Sequence, residues 1–116
     1  MIVMIVEDNA KMREMIIKTI RAKFEHVERI VECVNGLDAI EQYDQVHPDW
    51  VLMDIQMEPM DGLAASRTIM ATHPAAKVII VTNFNDSRYR KAAEDAGVVG
   101  FVLKENLSEI SDIISR

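Results

Sequence analysis

Apolar residues in this chain follow two alternating patterns. Short aliphatic runs, such as residues 2–6 and 78–81, are typical of strands that are covered on both faces. Between such runs the apolar residues recur every three or four positions, as at Met12, Ile16 and Ile20, which places them on one stripe of a helix. The sequence therefore predicts a regular succession of strands and helices.

Capping residues and prolines mark the predicted boundaries of these elements. Because their short polar side chains suit N-caps, Asn35, Asp61 and Asp86 are predicted to begin the second, third and fourth helices, and Asn106 with Glu109 resembles a capping box for the fifth. The predicted strands are residues 2–6, 28–34, 49–54, 78–81 and 98–103, and the first four helices are predicted to end near Phe24, His47, His73 and Gly97. Three charges in segment 28–34 favour an exposed edge of the sheet for that strand.

Strict alternation of strands and helices predicts an α/β fold. The strands would be parallel and joined by right-handed crossovers, with helices on both faces of the sheet. A length of 116 residues suits one domain with a single core, and we expect residues 1–116 to form it. The chain stops within or at the end of the last predicted helix, so both a complete protein and one domain of a longer protein are consistent with the sequence.

Composition narrows the class of protein. Hydrophobic residues make up 49% of the chain and charged residues 28%, which is typical of a compact globule. The formal net charge of -6 argues against nucleic-acid binding by this domain, because that binding needs an excess of Lys and Arg. A single cysteine, Cys33, cannot form an intramolecular disulfide, and the apolar N-terminal run is too short for a signal peptide or a membrane span. We therefore expect a cytoplasmic protein without a membrane partner.

Polar residues follow four of the predicted strands at the point where each strand ends. Glu7 and Asp8 come after the first strand, Asp54 after the third, Thr82 after the fourth and Lys104 after the fifth. Any one of them alone is more readily explained as a helix cap, a turn residue or a surface charge. Because the carboxyl ends of parallel strands share one edge of the sheet, the whole set is expected to converge on one site.

The residue types in this set suit phosphoryl transfer. Three crowded carboxylates repel one another, and a hard divalent cation such as Mg²⁺ relieves that repulsion through oxygen ligands. Asp54 would then be a nucleophile towards phosphorus, with Lys104 neutralising charge and the Thr82 hydroxyl donating to a phosphoryl oxygen. The product would be an aspartyl phosphate, with up to about two negative charges in place of one.

These features resemble the receiver domain of two-component response regulators, the CheY-like superfamily, over essentially the whole chain. The matching features are Glu7 and Asp8, Asp54 with loop 57–62, Thr82, and Lys104 at the end of segment 100–104. The resemblance implies a flavodoxin-like (βα)5 sandwich, in which a five-stranded parallel sheet has the order 2-1-3-4-5. Segment 100–104, followed by Glu105, is more similar to receivers that precede helix-turn-helix output domains of the LuxR or NarL type.

The resemblance also implies a metal-binding role and a phosphoacceptor. Asp54 is the expected phosphoacceptor. Mg²⁺ would be bound directly by Asp8 and Asp54, through water by Glu7, and by the backbone carbonyl of Gln56.

Three further residues take their expected roles from the same resemblance. Thr82 and Lys104 would contact the phosphoryl group. Phe101 lies where the family has an aromatic residue whose rotamer accompanies the movement of Thr82. Taken by itself, Phe101 is equally well explained as a core aromatic on an edge strand.

The implied function is a phosphorylation-activated signalling switch. A histidine kinase or phosphotransfer protein would donate the phosphoryl group, and the domain itself would catalyse the transfer and a slow autodephosphorylation. The signal would appear on the face formed by the fourth helix, the fifth strand and the fifth helix, where residues 88–91 form a basic cluster that also fits a solvated helix face. A DNA-binding output domain would lie outside this chain, and a homodimer could form on phosphorylation.

Three residues depart from the family's pattern. Glu58 replaces the usual proline four residues after the acceptor, Asn83 replaces a small residue, and Glu105 replaces a proline, which leaves open whether the preceding peptide is cis. We expect these residues to tune the lifetime of the aspartyl phosphate.

Two other functions are also weighed against the sequence. An aspartate-nucleophile phosphohydrolase is disfavoured by Gln56, because that chemistry needs a second Asp at this position. A degenerate receiver that only binds partners is disfavoured by the intact set of reactive residues.

Overall fold

Five parallel strands form the centre of the molecule in a computed structural model that describes residues 1–116. The strands are β1 (Ile2–Val6), β2 (Arg29–Cys33), β3 (Trp50–Met53), β4 (Val78–Thr82) and β5 (Gly100–Leu103). The helices are α1 (Ala10–Lys23), α2 (Gly36–Val46), α3 (Gly62–Thr72), α4 (Ser87–Asp95) and α5 (Ser108–Ile114), and a 3₁₀ helix, Lys104–Asn106, precedes α5.

The order of the strands in the sheet is β2-β1-β3-β4-β5, and every pair is parallel. This confirms the predicted α/β architecture and the predicted strand order. β2 is an edge strand, and its exposed Arg29 and Glu32 account for the charges that the sequence places there. All five residues of β4 are buried, in agreement with its uninterrupted aliphatic sequence.

The sheet separates two hydrophobic clusters, because successive strand residues point to opposite faces. On one face, strand residues such as Met53 pack with residues of α2, α3 and α4, among them Tyr43 and Ile69. On the other face, strand residues such as Leu52 pack against α1 and α5, with Ile16 and Ile110 fully or almost fully buried. Helices therefore cover both faces, as the βα alternation predicts. No helix combines the length and the apolar character that a membrane span requires.

Three predicted N-caps are present. The side chains of Asn35, Asp61 and Asp86 accept hydrogen bonds from backbone N–H groups in the first turns of α2, α3 and α4, at 2.9, 2.8 and 2.7 Å. Gly97, which follows α4, has a φ of 89°, a left-handed conformation that glycine adopts without strain. These boundaries were therefore predicted correctly.

The predicted capping box at Asn106 and Glu109 is wrong. Asn106 belongs to the 3₁₀ helix that begins directly after β5, and α5 starts two residues later at Ser108. The residue before α5, Leu107, has φ -58° and ψ -25° and makes no side-chain capping bond. Because the backbone is already helical at Leu107, the chain never adopts the extended N-cap conformation that a capping box requires.

Candidate functional site

The strand register brings the five polar residues together at one edge of the sheet. Val6 of β1 pairs with Met53 of β3, so Glu7 and Asp54 are the first residues beyond two neighbouring strands. The N–H of Asp54 continues this register by donating to the Val6 carbonyl at 3.0 Å. Thr82 of β4 pairs with Leu103 of β5, which places Lys104 directly beyond β5 at the same edge.

The acidic residues differ sharply in exposure. Glu7 is 1% exposed and Asp54 is 6% exposed, whereas Asp8 lies open to solvent. One carboxylate oxygen from each of the three lies within 4.8 Å of one from each of the others. The site is therefore a carboxylate cluster with two members covered by protein and one at its mouth.

Lys104 is the cation that faces the covered carboxylates. Its Nζ lies 2.6 Å from Glu7 Oε1 and 3.3 Å from Asp54 Oδ2, and only 9% of its side chain is exposed. The contact with Glu7 is a close ion pair, but Glu7 Oε1 receives no well-directed hydrogen bond from any residue of the protein. One buried carboxylate oxygen thus remains incompletely satisfied.

Burial and charge determine the protonation of these three groups. Burial raises the pKa of Asp54, and the charge of Lys104 offsets that effect only in part. Burial raises the pKa of Glu7 as well, again with partial compensation from Lys104. Burial alone would lower the pKa of Lys104, but contact with Glu7 and attraction to Asp54 outweigh it, so the lysine pKa is raised. Lys104 is consequently charged, and one cation is insufficient for the acids around it.

Backbone N–H groups hold both covered carboxylates in place. Glu7 Oε2 accepts from the N–H of Asn9 at 3.0 Å, and Asp54 Oδ1 accepts from the N–H of Ile55 at 2.8 Å. Asn9 also caps α1, since its side-chain oxygen accepts from the N–H of Met12 at 2.9 Å. This role of Asn9 was not predicted from the sequence, although an Asn directly before a helical pattern is a recognisable N-cap signal.

Gly62 allows the chain after Asp54 to return to the site. A Cβ atom added to Gly62 would lie 1.7 Å from the Asp54 carbonyl oxygen, a distance too short for any residue with a side chain. The N–H of Gly62 donates to the Ile55 carbonyl at 2.8 Å, and this bond closes the loop that precedes α3. The sequence places Gly62 in the loop but gives no sign of this close approach.

The donor set fits a hard divalent cation. Three carboxylates converge, and the Glu7 oxygen without a directed hydrogen bond lies among them. An open cavity beside the cluster is lined by Asp8, Gln56, Met57, Glu58 and Asp61. Glu58 therefore lines this cavity without joining the three-carboxylate cluster.

Thr82 and Phe101 are linked to neighbouring loops. The buried Thr82 Oγ1 accepts a hydrogen bond from the N–H of Phe84 at 3.2 Å. Phe101 is partly buried against the core, and the Arg90 guanidinium lies 4.5 Å from the centre of its ring. Arg90 Nε also donates to Asn85 Oδ1 at 3.2 Å, so this arginine joins the loop after β4 to strand β5.

The basic cluster on α4 is largely paired with nearby acids. Arg88 contacts Asp86 at 2.9 Å, and Lys91 contacts Asp95 at 2.8 Å. Arg90 covers Phe101. These local partners favour the interpretation of residues 88–91 as a solvated helix face.

The other two departures from the family's pattern lie next to Lys104. Asn83 and Glu105 line a small cavity together with Asn85, Leu103 and Lys104. The peptide between Lys104 and Glu105 is trans, and the chain has its one cis peptide between Glu58 and Pro59. The question left open by Glu105 is therefore answered, because the peptide that precedes it is trans.

Comparisons with known proteins agree with this architecture. Residues 3–115 match the family described as response regulator receiver domain. The chain is 38% identical to the chemotaxis protein CheY of Listeria monocytogenes, covering 90% of this chain and 87% of that protein. It is 34% identical to the response regulator protein VraR of Staphylococcus epidermidis, covering 79% of this chain but only 44% of VraR.

A solved structure extends the similarity to three dimensions. The crystal structure of a LuxR-family DNA-binding response regulator from Staphylococcus aureus superposes with a TM-score of 0.89 at 32% identity, covering 98% of this chain and 95% of that chain. Fold, family match and sequence relatives all agree, and this chain belongs to the response regulator receiver domain family of two-component signalling.

Proposed function

We propose that the switch in this receiver domain is operated by phosphorylation of Asp54. The observation that supports this assignment is a nearly buried carboxylate at the end of β3 that lies 3.3 Å from the Lys104 ammonium and within reach of two further acids. A buried, incompletely neutralised acid in such a cluster is costly to maintain for stability alone, which favours a reactive role.

In the proposed transfer the donor is a phosphohistidine, carried by a histidine kinase or a phosphotransfer protein. One Asp54 oxygen attacks phosphorus, so an O–P bond forms and the P–N bond to the imidazole breaks. The imidazole leaves with the electron pair of that bond and takes up a proton. The N–H of Ile55 orients the attacking carboxylate, and the Lys104 ammonium stabilises negative charge on the transferred group.

The acidic residues would hold Mg²⁺, with Glu7, Asp8 and Asp54 supplying carboxylates and Gln56 its backbone carbonyl. When bound, this cation neutralises negative charge on the carboxylates and on the phosphoryl oxygens. Two observations support this role for Glu7, because one of its oxygens is held by the Asn9 N–H while the other lacks a directed hydrogen bond. Asp8 at the mouth of the site is the accessible member.

Thr82 and Lys104 would bind the oxygens of the new phosphoryl group, and their movement would transmit the change to the rest of the domain. The Thr82 hydroxyl oxygen accepts from the Phe84 N–H, so its own proton is free to be donated to a phosphoryl oxygen. Lys104 would exchange part of its contact with Glu7 for the phosphoryl oxygens. Movement of Thr82 and Phe101 would then alter the face formed by α4, β5 and α5.

The departures beside the site would determine how long the phosphoryl group persists. Asn83 and Glu105 line a cavity next to Lys104, and Glu58 lines the cavity next to Asp8. Asn83→Ala and Glu58→Pro should therefore change the rates of phosphorylation or dephosphorylation. Unchanged rates in both variants would exclude this role.

The partners follow from the family and from the relatives. We propose a histidine kinase or phosphotransfer protein as donor and a cytoplasmic location for this chain. The similarity to a LuxR-family regulator and to VraR supports a DNA-binding output domain as the target of the switch. Phosphorylation would expose or reshape the α4, β5 and α5 face, and a homodimer through that face is one way of passing on the signal.

The assignment can be tested by intact mass spectrometry. The protein is incubated with Mg²⁺ and acetyl phosphate, and a phosphoryl adduct that is stable in acid and labile in base is expected. Asp54→Asn should form none, whereas the matched control Asp112→Asn, an exposed acid on α5, should react like the wild type. Absence of an adduct on the wild type would contradict the proposal, and rapid turnover of phosphate esters would indicate a hydrolase instead.

A further inference from the structure

We infer that Arg13 is a positioning residue for the acidic segment after β1, and that it sets the affinity of the site for a divalent cation. The inference rests on the proposed function, because it concerns the same metal-binding residues. Arg13 contacts neither the carboxylates of the cluster nor the space beside them. Its effect would pass through the backbone.

Arg13 joins three parts of the fold through one side chain. It lies in the first turn of α1, and its guanidinium Nη1 donates to the backbone carbonyl of Glu7 at 2.8 Å. Its Nε donates to Glu32 Oε1 of strand β2 at 2.9 Å. Only 18% of the Arg13 side chain is exposed, so these bonds form in a partly covered environment. The planar guanidinium can make both bonds in one fixed geometry.

The carbonyl that Arg13 holds belongs to the peptide between Glu7 and Asp8. Because a peptide group is planar, fixing this carbonyl fixes the orientation of that whole peptide. The Glu7 side chain already has its own support from the Asn9 N–H. Arg13 adds the constraint that relates the buried acid, Glu7, to the exposed acid, Asp8.

Removal of a positive charge and removal of a support have opposite effects on cation binding. Loss of the Arg13 charge near an acidic site would strengthen cation binding by reducing repulsion. Loss of the support would weaken it, since the two acids would no longer be held in a common geometry. Arg13→Lys keeps the positive charge but removes the planar guanidinium that makes both hydrogen bonds. The substitution therefore isolates the positioning effect.

Binding of Mn²⁺, measured by electron paramagnetic resonance on the otherwise metal-free protein, is the decisive experiment. Arg13→Lys should weaken binding about tenfold, in line with the loss of residues that orient metal ligands. Glu32→Gln should weaken it less, because the bond to the Glu7 carbonyl remains. Arg21→Lys, an exposed residue in the last turn of the same helix, is the matched control and should bind like the wild type.

A second readout separates positioning from a general loss of stability. Amide hydrogen exchange of the metal-free Arg13→Lys protein should increase at Asn9, whose N–H donates to Glu7 Oε2, and stay unchanged in β3 and β4. Binding by Arg13→Lys that equals or exceeds that of the wild type would overturn the inference alone. Failure of the wild type to bind Mn²⁺ would overturn the metal part of the proposed function and this inference with it.

Discussion

The ammonium group of Lys104 is closer to Glu7 than to Asp54, with Nζ 2.6 Å from Glu7 Oε1 and 3.3 Å from Asp54 Oδ2. The lysine therefore has a resting partner that differs from the proposed phosphoacceptor. Its contact with Asp54 is the weaker of the two and leaves room for exchange when the charge on Asp54 changes.

Lys104→Met should destabilise the metal-free protein by about 3 kcal/mol at neutral pH, because it leaves two covered carboxylates without their cation. Urea-induced unfolding measures this difference. Added Mg²⁺ should restore part of the loss, since it supplies positive charge to the same acids.

Lys18→Met is the control for Lys104→Met. Lys18 pairs with Glu14 at 3.3 Å, but 75% of its side chain is exposed, so its loss should change stability by less than about 0.5 kcal/mol. Equal effects of the two substitutions would show that the buried ion pairs do not contribute specifically to stability.

Asp54→Asn should raise the thermal stability of the metal-free protein at neutral pH. Burial raises the pKa of Asp54 above its ordinary value of 3.8, with Lys104 opposing in part. Such a group contributes stability that is fully present below pH 3.8 and is lost as the pH rises through the folded-state pKa. The advantage of Asp54→Asn should therefore shrink as the pH falls towards 4. A Tm below that of the wild type at neutral pH would contradict this expectation.

Cys33 should resist modification in the folded protein. Burial first, and then the charge of Asp38, raise its pKa from 9.0 to about 12. At pH 8 the thiolate is then about a thousandfold rarer than in the unfolded chain, and labelling by a disulfide reagent should slow by at least that factor. The protonated thiol contributes stability that is present below pH 9 and is lost as the pH rises towards 12. Labelling at the same rate with and without denaturant would disprove this account.

Gly62→Ala should destabilise the domain by about 3 kcal/mol, because the new methyl group would collide with the Asp54 carbonyl. Gly97→Ala provides a comparison, since its φ is 89° but its nearest neighbour is the flexible end of Met70 at 3.3 Å. It should cost about 1 kcal/mol. Chemical denaturation of both variants measures the difference, and a Gly62→Ala protein as stable as Gly97→Ala would show that the loop can relax.

The alternation of strands and helices could be predicted because each element has its own hydrophobic period. The convergence of residues such as Glu7, Asp54 and Lys104 could be predicted because the carboxyl ends of parallel strands meet at one edge of the sheet. Both depend on patterns that repeat along the sequence, and the structure reproduces them.

Contacts between specific atoms could not be predicted in the same way. In the sequence Arg13 cannot be told from an ordinary helix residue, because its hydrogen-bond partners are the backbone carbonyl of Glu7 and the side chain of Glu32 in β2. Asn106 looked like an N-cap because nothing local reveals that a 3₁₀ helix directly follows β5. The hydrogen bonds of Arg13 and the 3₁₀ helix depend on backbone positions that the whole fold determines, and not on the local sequence.

The two strands that carry the proposed acceptor and its lysine differ in how firmly they are held. β3 has a hydrogen-bonded neighbour on each side, whereas β5 has only β4. A new charge on Asp54 would thus arise at the end of a strand that is hydrogen-bonded on both sides, whereas the strand that leads to Lys104 is hydrogen-bonded on one side only. If Asp54 is phosphorylated as proposed, we expect the larger structural adjustment at β5, the strand with support on one side only.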